Sequence, residues 1–393
     1  MSLNPVYIIN TAVFFPNKPV SSDEMEEFLG YIDNKPSKSK RIVLRNNGIK
    51  NRFYALTKEG RPTHTNAEIT ALAIRALFGG DATQLKTVEL LSCGTSSPDQ
   101  LMPSHAVMVH GLLPETNAIE VVSPSGVCCA GMHAFKYAWL SIKAGEIHQA
   151  VASGSERFSA SLVSGIFEDE AQKLKALEAN PYIGFEKEFL RWMLSDGASA
   201  FLMSDKPNET GFSLRVEWVE GVSYANAKEA CMYMGAEKQK DGTLKGYLEY
   251  TAEEISNKSV LSIKQDVKLL SENIVPLGGA GLKAALEKHR VKSSEIDYFL
   301  PHMSSEFFRE KIFNQLNENG IGIPYEKWFV NLTTLGNVGA ASVYLMVDEL
   351  LHSGKLKTGD KILLLVPESA RFSYMYSLLT VCPPATQKGV PEH

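Results

Sequence analysis

Two stretches of the chain share the same order of predicted turn, helix and strand, and this shared order indicates the fold. Residues 125–159 read SGVCCAGMHAFKYAWLSIKAGEIHQAVASGSERFS, and residues 335–373 read LGNVGAASVYLMVDELLHSGKLKTGDKILLLVPESARFS. In each, a glycine-bearing turn leads into an amphipathic helix, then a short break, then an apolar strand ending in Ser-x-Arg-Phe-Ser. The shared order and the matched endings favour an internal duplication over chance similarity between short α/β units.

A second matched pair lies upstream of these stretches. Residues 88–96 read VELLSCGTS and residues 297–305 read DYFLPHMSS, so each is a short apolar strand that runs into a polar turn. Alternating strands and helices predict an α/β fold with mostly parallel sheets covered by helices. Two such units packed back to back would bring both polar turns and both helix starts to one centre, and we expect the chemistry there.

The duplication divides the chain near residue 205, into halves spanning 1–205 and 206–393. Residues 159–192 fit neither repeat and are rich in Glu, Lys and Leu, which predicts a helical insertion over the central site. A polar segment at 224–273 is a second candidate insertion. The apolar stretch Val6–Phe15 has no preceding basic residue and no cleavage site, so we interpret it as a first strand.

The composition is typical of a globular enzyme and argues against a nucleic-acid-binding or membrane protein. The 393 residues are 44% hydrophobic with a net charge of −5, which is ordinary for a globular enzyme and gives no sign of nucleic-acid or membrane binding. No apolar run is long enough to span a bilayer. Five cysteines without framework spacing indicate a reduced, cytoplasmic protein. The lack of CxxC and HExxH motifs gives a metal site no support.

Three side chains stand where the predicted centre would be. Cys129, in Cys128-Cys129-Ala130-Gly131, opens the first repeat's helix, whose N-terminus would lower the thiol pKa. His302 follows a strand, and Asn337 lies in a turn of small residues. Taken singly, these are also typical of a buried cysteine, a strand-capping histidine and a turn asparagine. Together they suit acyl transfer with carbanion stabilisation.

The segments around these residues resemble the three active-site motifs of β-ketoacyl-ACP synthase III. They are Val127–Met132, Leu300–Met303 and Leu335–Ser342, and weaker similarity extends to 45–55, 94–104 and 195–200. The resemblance implies the thiolase fold, a duplicated five-layer αβαβα arrangement with pseudo-twofold symmetry. It implies a nucleophilic Cys129, with Cys128 as a minor alternative, acting with His302 and Asn337. It also implies a homodimer, whose strands 149–153 and 362–366 would leave edges to be paired.

The chain departs from the family in ways that favour a specialised branch. Glu368-Ser369-Ala370-Arg371 replaces a triple-glycine loop, so the predicted oxyanion hole uses the backbone N–H groups of Cys129 and the Ala370 region. Asn47 replaces a threonine, and the chain is long. These features look like the ketosynthase-cyclases that form cyclohexane-1,3-dione precursors of dialkylresorcinols or stilbenes. A conventional β-ketoacyl-ACP synthase III, a cysteine acyltransferase or hydrolase, and a non-catalytic subunit remain alternatives.

Two further predictions concern proton transfer and carrier binding. Glu156 is an additional base or orienting group, or else an ion-pair partner of Arg157. Residues 35–52 carry seven basic side chains and no acid, and Arg41, Arg45, Lys50 and Arg52 are the predicted contacts for CoA or acyl carrier protein, a solvated basic loop being the alternative. No organic cofactor or metal is expected, because the thioester supplies the activation.

Overall fold

The computed structural model of the protein describes residues 3–31, 34–37, 40–164, 190–257 and 260–387. Most of the predicted helical insertion at 159–192 lies outside these ranges, and so does Lys38 of the basic segment. Within them, no helix is both long enough and apolar enough to cross a membrane.

Fifteen strands are present in the described residues. They are β1 (Tyr7–Phe14), β2 (Val20–Ser21), β3 (Asn51–Arg52), β4 (Leu90–Thr95), β5 (Glu120–Val122), β6 (Gln149–Glu156), β7 (Gly197–Ser204), β8 (Ser213–Ser223), β9 (Met232–Tyr233), β10 (Ala236–Lys238), β11 (Leu244–Gly246), β12 (Lys264–Gln265), β13 (Tyr298–Pro301), β14 (Lys361–Glu368) and β15 (Ser373–Cys382).

Ten α-helices accompany these strands in the same part of the chain. They are α1 (Met25–Leu29), α2 (Lys40–Asn47), α3 (Asn66–Ala76), α4 (His105–Gly111), α5 (Cys129–Ala144), α6 (Ala252–Asn257), α7 (Val267–Lys288), α8 (Arg309–Glu318), α9 (Leu332–Leu335) and α10 (Ser342–His352).

The strand order shows the duplication directly. Nine strands form one hydrogen-bonded sheet in the order β13-β14-β15-β8-β1-β7-β6-β4-β5. In the first half β4 runs parallel to β6, which is antiparallel to β7, which is antiparallel to β1. In the second half β13, β14, β15 and β8 repeat these relations in the same sequence. Pairing of β1 with β8 through Tyr7 and Ile8 joins the two sets.

The two strands expected to offer dimer edges are interior. β6 lies between β4 and β7, and β14 lies between β13 and β15, so their backbone groups are already paired. The prediction that these strands offer edges was wrong. Each apolar strand is an interior strand of its own half and is buried on both faces. Among the described strands, β5 and β13 end the sheet.

Helices α5 and α10 form the central layer. In α5, Met132, Phe135, Trp139 and Ile142 are buried at helical spacing, and Gly145 ends the helix in a left-handed conformation (φ 81°). α5 contacts β4 and β6 on one side and β14 and β15 on the other. Helices α3 and α4 cover the outer face of the first half, and α7 and α8 that of the second. The layers therefore alternate as αβαβα.

Glycine allows the central layer to pack tightly at its start. A Cβ on Gly131 would lie 2.2 Å from the carbonyl oxygen of Ala340, and one on Gly154 would lie 2.3 Å from the same oxygen. Tyr344 of α10 donates a hydrogen bond of 2.8 Å to the carbonyl of Gly131. The turn before α10 is thereby held against the first turn of α5.

Candidate active site

One cavity collects side chains from both halves of the protein. It is partly open to solvent, and Cys128, His302 and Asn337 are among its lining residues. Most of the remaining wall is apolar, including Phe158, Met193, Leu270, Ile274, Met303 and Ile312. A thiol, an imidazole and a carboxamide thus share one largely apolar chamber.

Of the two adjacent cysteines, Cys128 is among the residues that line this cavity, and Cys129, the predicted nucleophile, is not. Cys128 is the N-cap residue of α5 and lines the chamber. Cys129 begins the helix proper and points away, with Sγ 3.4 Å from the carbonyl oxygen of Val366, inside the core between α5 and β14. Consecutive residues at a helix start project about 100° apart, so the two thiols have different surroundings.

The predicted lowering of the thiol pKa is also wrong. Burial raises the pKa of both cysteines well above the usual value, and for Cys128 the nearby carboxyl groups of Glu368 and Glu156 raise it further. The helix N-terminus does not offset this, because its amide groups already hold an anion. Oε2 of Glu368 accepts hydrogen bonds from the N–H groups of Val127 (2.8 Å) and Cys129 (3.0 Å). Cys128 is therefore a protonated thiol at neutral pH.

His302 lies at the carboxyl end of β13, as α/β proteins place their functional residues. Its backbone N–H donates to the carbonyl of Leu365 on β14 at 2.8 Å, which fixes the strand end beside the cavity. Burial lowers the pKa of the imidazole to about 4. The ring is thus neutral near pH 7 and can both accept a proton and donate one hydrogen bond.

Asn337 is held rigidly by the backbone around it. Its N–H donates to Met193 and its carbonyl accepts from Ser195, at 3.1 and 2.9 Å. The side-chain Oδ1 accepts from the N–H of Gly339 at 3.0 Å. With the amide oxygen occupied, the NH₂ group is what this side chain can present to the cavity.

Of the two backbone N–H groups predicted for the oxyanion hole, that of Cys129 already has a partner. The N–H of Cys129 is taken by Glu368, as described above. Ala370 is not among the cavity-lining residues, and its carbonyl accepts hydrogen bonds from Cys231 (2.8 Å) and Met232 (3.2 Å). The carboxylate of Glu368 fills the space beside Gly126, where a glycine loop would have left room.

Glu156 is fully buried at the end of β6 behind the cavity wall. Its carboxylate accepts hydrogen bonds from Ser97 Oγ (2.6 Å), Ser96 Oγ (2.8 Å) and the N–H of Ala340 (3.1 Å). Burial raises its pKa to about 7, and these hydrogen bonds oppose the rise. Arg157 pairs instead with Asp99 at 3.1 Å, so the predicted ion-pair alternative for Glu156 is wrong.

The four basic residues predicted to hold a carrier divide into two groups. Arg41, Arg45 and Lys50 are exposed, on or just after α2. Arg52 is fully buried and donates to Ser22 Oγ (3.2 Å) and the carbonyl of Trp192 (3.3 Å). Arg52 is therefore a structural residue that ties two segments together, and it is removed from the predicted carrier contacts.

Sequence reasoning missed Glu368 and Gln265 as site residues. Glu368 ends β14, and the strand-end rule that selected His302 would have selected it too. Gln265 lies in the polar segment at 224–273, where no pattern distinguished it from its neighbours. Among the described residues, no three His, Cys, Asp or Glu side chains group in a way that could hold a metal ion.

Comparison with known proteins agrees with this fold. Residues 286–367 match the family model for the C-terminal part of 3-oxoacyl-[acyl-carrier-protein] synthase III. The β-ketoacyl-[acyl-carrier-protein] synthase III of Clostridium perfringens is 24% identical over 362 residues, covering 91% of this chain and 94% of that protein. The enzyme of the same name from Hyphomonas neptunium is 22% identical, covering 91% and 93%.

Solved structures show the same fold at lower identity. AbyA1, a tetronic acid condensing enzyme, superimposes with a TM-score of 0.73 at 17% identity, covering 95% of this chain and 99% of that one. Xanthomonas campestris OleA with bound lauric acid and lauroyl-CoA gives 0.71 at 19% identity, covering 97% and 100%. The chain therefore has the thiolase fold and is an acyltransferase-type condensing enzyme related to β-ketoacyl-[acyl-carrier-protein] synthase III.

Proposed function

We propose that the protein joins two acyl thioesters through a carbon–carbon bond, with an acyl group held on Cys128. The observation that carries this proposal is the single cavity that Cys128 shares with His302 and Asn337. A hydrolase would need a nucleophile and a water site, but it would have no use for a second donor pair aimed at an enolate.

Acylation of Cys128 is the first step. The thiol attacks the thioester carbonyl, a new S–C bond forms, and the old S–C bond breaks. The thiol proton passes to neutral His302 and then to the departing CoA or carrier thiol. A neutral imidazole suits this transfer, because the thiol, with its raised pKa, cannot supply a thiolate unaided.

Condensation is the second step. His302 and the NH₂ group of Asn337 donate hydrogen bonds to the carbonyl oxygen of the second thioester and stabilise its enolate. The enolate carbon attacks the acyl group, the C–Sγ bond breaks, and Cys128 leaves as a thiolate that takes a proton from solvent or, with a β-ketoacyl partner, from the base that removed the carbon-bound proton. A malonyl partner would form the enolate by losing carbon dioxide, whereas a β-ketoacyl partner would lose a proton to a base.

The finer proposal is a ketosynthase-cyclase that couples a β-ketoacyl thioester with an α,β-unsaturated one to give a cyclohexane-1,3-dione. Glu156, with a pKa of about 7, has the proton affinity of a base at neutral pH, but it lies behind the cavity wall and could take a carbon-bound proton only through an intervening group. Conventional synthesis from acyl-CoA and malonyl carrier is the second candidate, and the similarity to synthase III enzymes favours it equally. Product analysis by mass spectrometry separates a cyclic dione from a linear β-ketoacyl chain.

The apolar wall indicates acyl chains of substantial length. The lining residues contributed by α7 and α8 are almost all apolar or glycine, so an alkyl chain would gain roughly 0.8 kcal/mol for each buried methylene. The lauroyl ligand of the Xanthomonas campestris protein is of this kind. The exposed Arg41, Arg45 and Lys50 are proposed to meet the phosphates of CoA or an acidic carrier protein, and a homodimer is proposed from the family resemblance.

Intact-mass analysis after incubation with acyl thioesters tests the nucleophile. The wild-type protein and Cys129→Ala should each gain one acyl group, and Cys128→Ala should gain none. Digestion and peptide mapping should place the acyl group on Cys128. An adduct that persists in Cys128→Ala and disappears in Cys129→Ala would overturn the assignment, and free acid as the sole product from paired thioesters would overturn the condensing function.

A further inference from the structure

Glu156 connects turns from the two halves of the protein. Its side chain is fully buried at the end of β6. Oε2 accepts hydrogen bonds from the hydroxyls of Ser96 (2.8 Å) and Ser97 (2.6 Å), in the turn that follows β4. Oε1 accepts a hydrogen bond from the backbone N–H of Ala340 (3.1 Å), in the turn that precedes α10. One carboxylate therefore fixes a turn of the first half against a turn of the second.

The turn of the second half is the one that orients Asn337. The N–H of Gly339 donates to Oδ1 of Asn337 at 3.0 Å, which leaves the NH₂ group of the amide for the cavity. Gly339 has a φ of 47°, and glycine populates positive and negative φ about equally, so its own backbone does not fix the direction of this N–H. The next residue, Ala340, is the one that Glu156 holds. Anchoring Ala340 limits rotation of Gly339 and keeps its N–H aimed at Asn337.

The same arrangement occurs at the start of the other central helix. Glu368 ends β14 and accepts hydrogen bonds from two backbone N–H groups at the start of α5, whereas Glu156 ends β6 and accepts from one just before α10. Each carboxylate thus reaches from the strand that follows one central helix to the start of the other. The two contacts are related by the duplication, and each lies beside one of the proposed reacting side chains, Cys128 or Asn337.

We propose that Glu156 is a positioning residue for the condensation step, which holds the turn at Gly339 and Ala340 so that the amide of Asn337 meets the enolate oxygen of the second thioester. The inference rests on the proposed function, in which Asn337 stabilises that enolate. Glu156 acts through the turn and not on the substrate, because it is not among the residues that line the cavity. The N–H of Ala340 needs an acceptor oxygen at hydrogen-bond distance, so the length of the side chain at 156 matters more for this role than its charge.

Two conservative substitutions separate position from charge. Glu156→Gln keeps an oxygen at full reach, and its NH₂ group can donate to the serine hydroxyls, so condensation should slow by no more than about threefold. Glu156→Asp keeps the carboxylate but shortens the side chain by one methylene, so condensation should slow by about 30-fold. The condensation rate is the rate at which coupled product appears when malonyl-CoA or 3-oxodecanoyl-CoA is added to preformed acyl-enzyme. Formation of that acyl-enzyme from decanoyl-CoA, followed by intact mass, should not slow in either variant.

Ser97→Ala is the matched control for a purely structural effect. It removes the 2.6 Å hydroxyl contact to Oε2 but leaves Oε1 with Ala340, so it should lower the Tm and slow condensation by less than about twofold. Gly339→Ala attacks the same contact from the other side, because its Cβ would lie 2.8 Å from Oε1 of Glu156. It should slow condensation as Glu156→Asp does, and it decides the question if Glu156→Asp does not fold.

Two results would overturn the proposal. One is a Glu156→Asp protein that condenses as fast as Glu156→Gln or faster, because the reach of the side chain would then be unimportant. The other is a Ser97→Ala protein that is slowed as much as Glu156→Asp, because general loosening of the turns would then account for the effect. Either result leaves the condensing function intact as long as the wild type forms coupled product. A wild type that gives only free acid overturns the condensing function itself.

Discussion

The carboxylate of Glu368 accepts a hydrogen bond from the backbone N–H of Cys129, with 3.0 Å between Oε2 and the nitrogen. The same oxygen accepts from Val127 at 2.8 Å, so one anion occupies the N-terminus of the helix that Cys128 caps. This contact stabilises the helix start, and it also raises the pKa of the Cys128 thiol beyond the effect of burial. The site thus keeps its thiol protonated until a base removes the proton.

Glu368→Gln should make Cys128 more reactive at neutral pH. Glutamine keeps an oxygen for one amide but removes the negative charge, so the thiol pKa should fall. The rate of iodoacetamide modification at Cys128, followed by peptide mapping across pH 6–10, should show a midpoint shifted to lower pH. The protein should lose about 1 kcal/mol of stability, because a charged acceptor is replaced by a neutral one.

Glu146→Gln supplies the matched control for this experiment. Glu146 is exposed just beyond the other end of the same helix, so its replacement removes an equal charge far from the thiol. Its modification profile should overlay that of the wild type. A midpoint that does not move in Glu368→Gln would show that this carboxylate has no influence on the thiol.

Glu156→Gln should remove one contribution to the dependence of stability on pH. The folded-state pKa of about 7 lies above the usual value of 4.5 for a glutamate side chain, so the folded protein binds the extra proton more tightly. The stabilisation is full below pH 4.5 and is lost as pH rises towards 7, with a total of roughly 3 kcal/mol at 1.36 kcal/mol per unit. In denaturant midpoints measured between pH 5 and pH 7.5, the difference between wild type and variant should fall as pH rises, while His302 and His105, whose pKa values burial lowers to about 4, contribute a slope of opposite sign in both proteins.

Asp196 is a second buried carboxyl group that contributes to the pH dependence in that experiment. Burial raises its pKa to about 6, so it contributes a loss of stability of the same sign at lower pH. Glu156→Gln should retain this part. If Glu156 is the base in condensation, its loss should also remove the rise in condensation rate through pH 7 while acylation of Cys128 continues. A variant with wild-type pH dependence in both measurements would rule out a titrating Glu156.

Gly131→Ala should destabilise the protein by about 3 kcal/mol, even though alanine is the better helix former. The new Cβ would lie 2.2 Å from the carbonyl oxygen of Ala340, which is backbone and cannot move without displacing the turn that bears Asn337. Gly111→Ala is the control, because a Cβ there meets nothing within 4 Å. Thermal unfolding should show a lower Tm for the first variant and an unchanged or higher Tm for the second.

The duplication could be predicted because the same order of strands and helices occurs twice along the chain. Local patterns predicted β1, β4, α5 and β6 and their second-half counterparts, and the strand-end rule placed His302 correctly beside the cavity. The choice between two adjacent cysteines depends on where the first helical turn begins. Sequence similarity cannot fix that point to one residue, and a shift of one residue turns the side chain from cavity to core.

Electrostatic surroundings were the other part that the sequence could not supply. The thiol pKa was predicted from the helix N-terminus alone, but the carboxylate that occupies this terminus, Glu368, is 239 residues from Cys129 along the chain. Arg52 belonged to a basic run and looked like its neighbours, yet β3 turns it inward while Arg45 faces solvent. A run of basic residues therefore predicts a binding partner only once its exposed members are distinguished from its buried ones.

Arg52 and Arg45 should therefore respond to mutation in opposite ways. Arg52→Ala removes two buried hydrogen bonds to Ser22 and Trp192 and leaves a cavity, so it should cost about 3 kcal/mol of stability. Arg45→Glu alters an exposed side chain and should change stability by less than about 0.5 kcal/mol. Its effect should instead be a several-fold higher KM for a carrier-bound acyl substrate, most evident at low salt, since screening weakens surface charge interactions.

An N-acetylcysteamine thioester lacks the phosphates, and its KM should not change in Arg45→Glu. Lys357→Glu reverses another exposed charge and serves as the control for non-specific repulsion. If Lys357→Glu raised the carrier KM as much as Arg45→Glu, net charge and not helix α2 would govern docking.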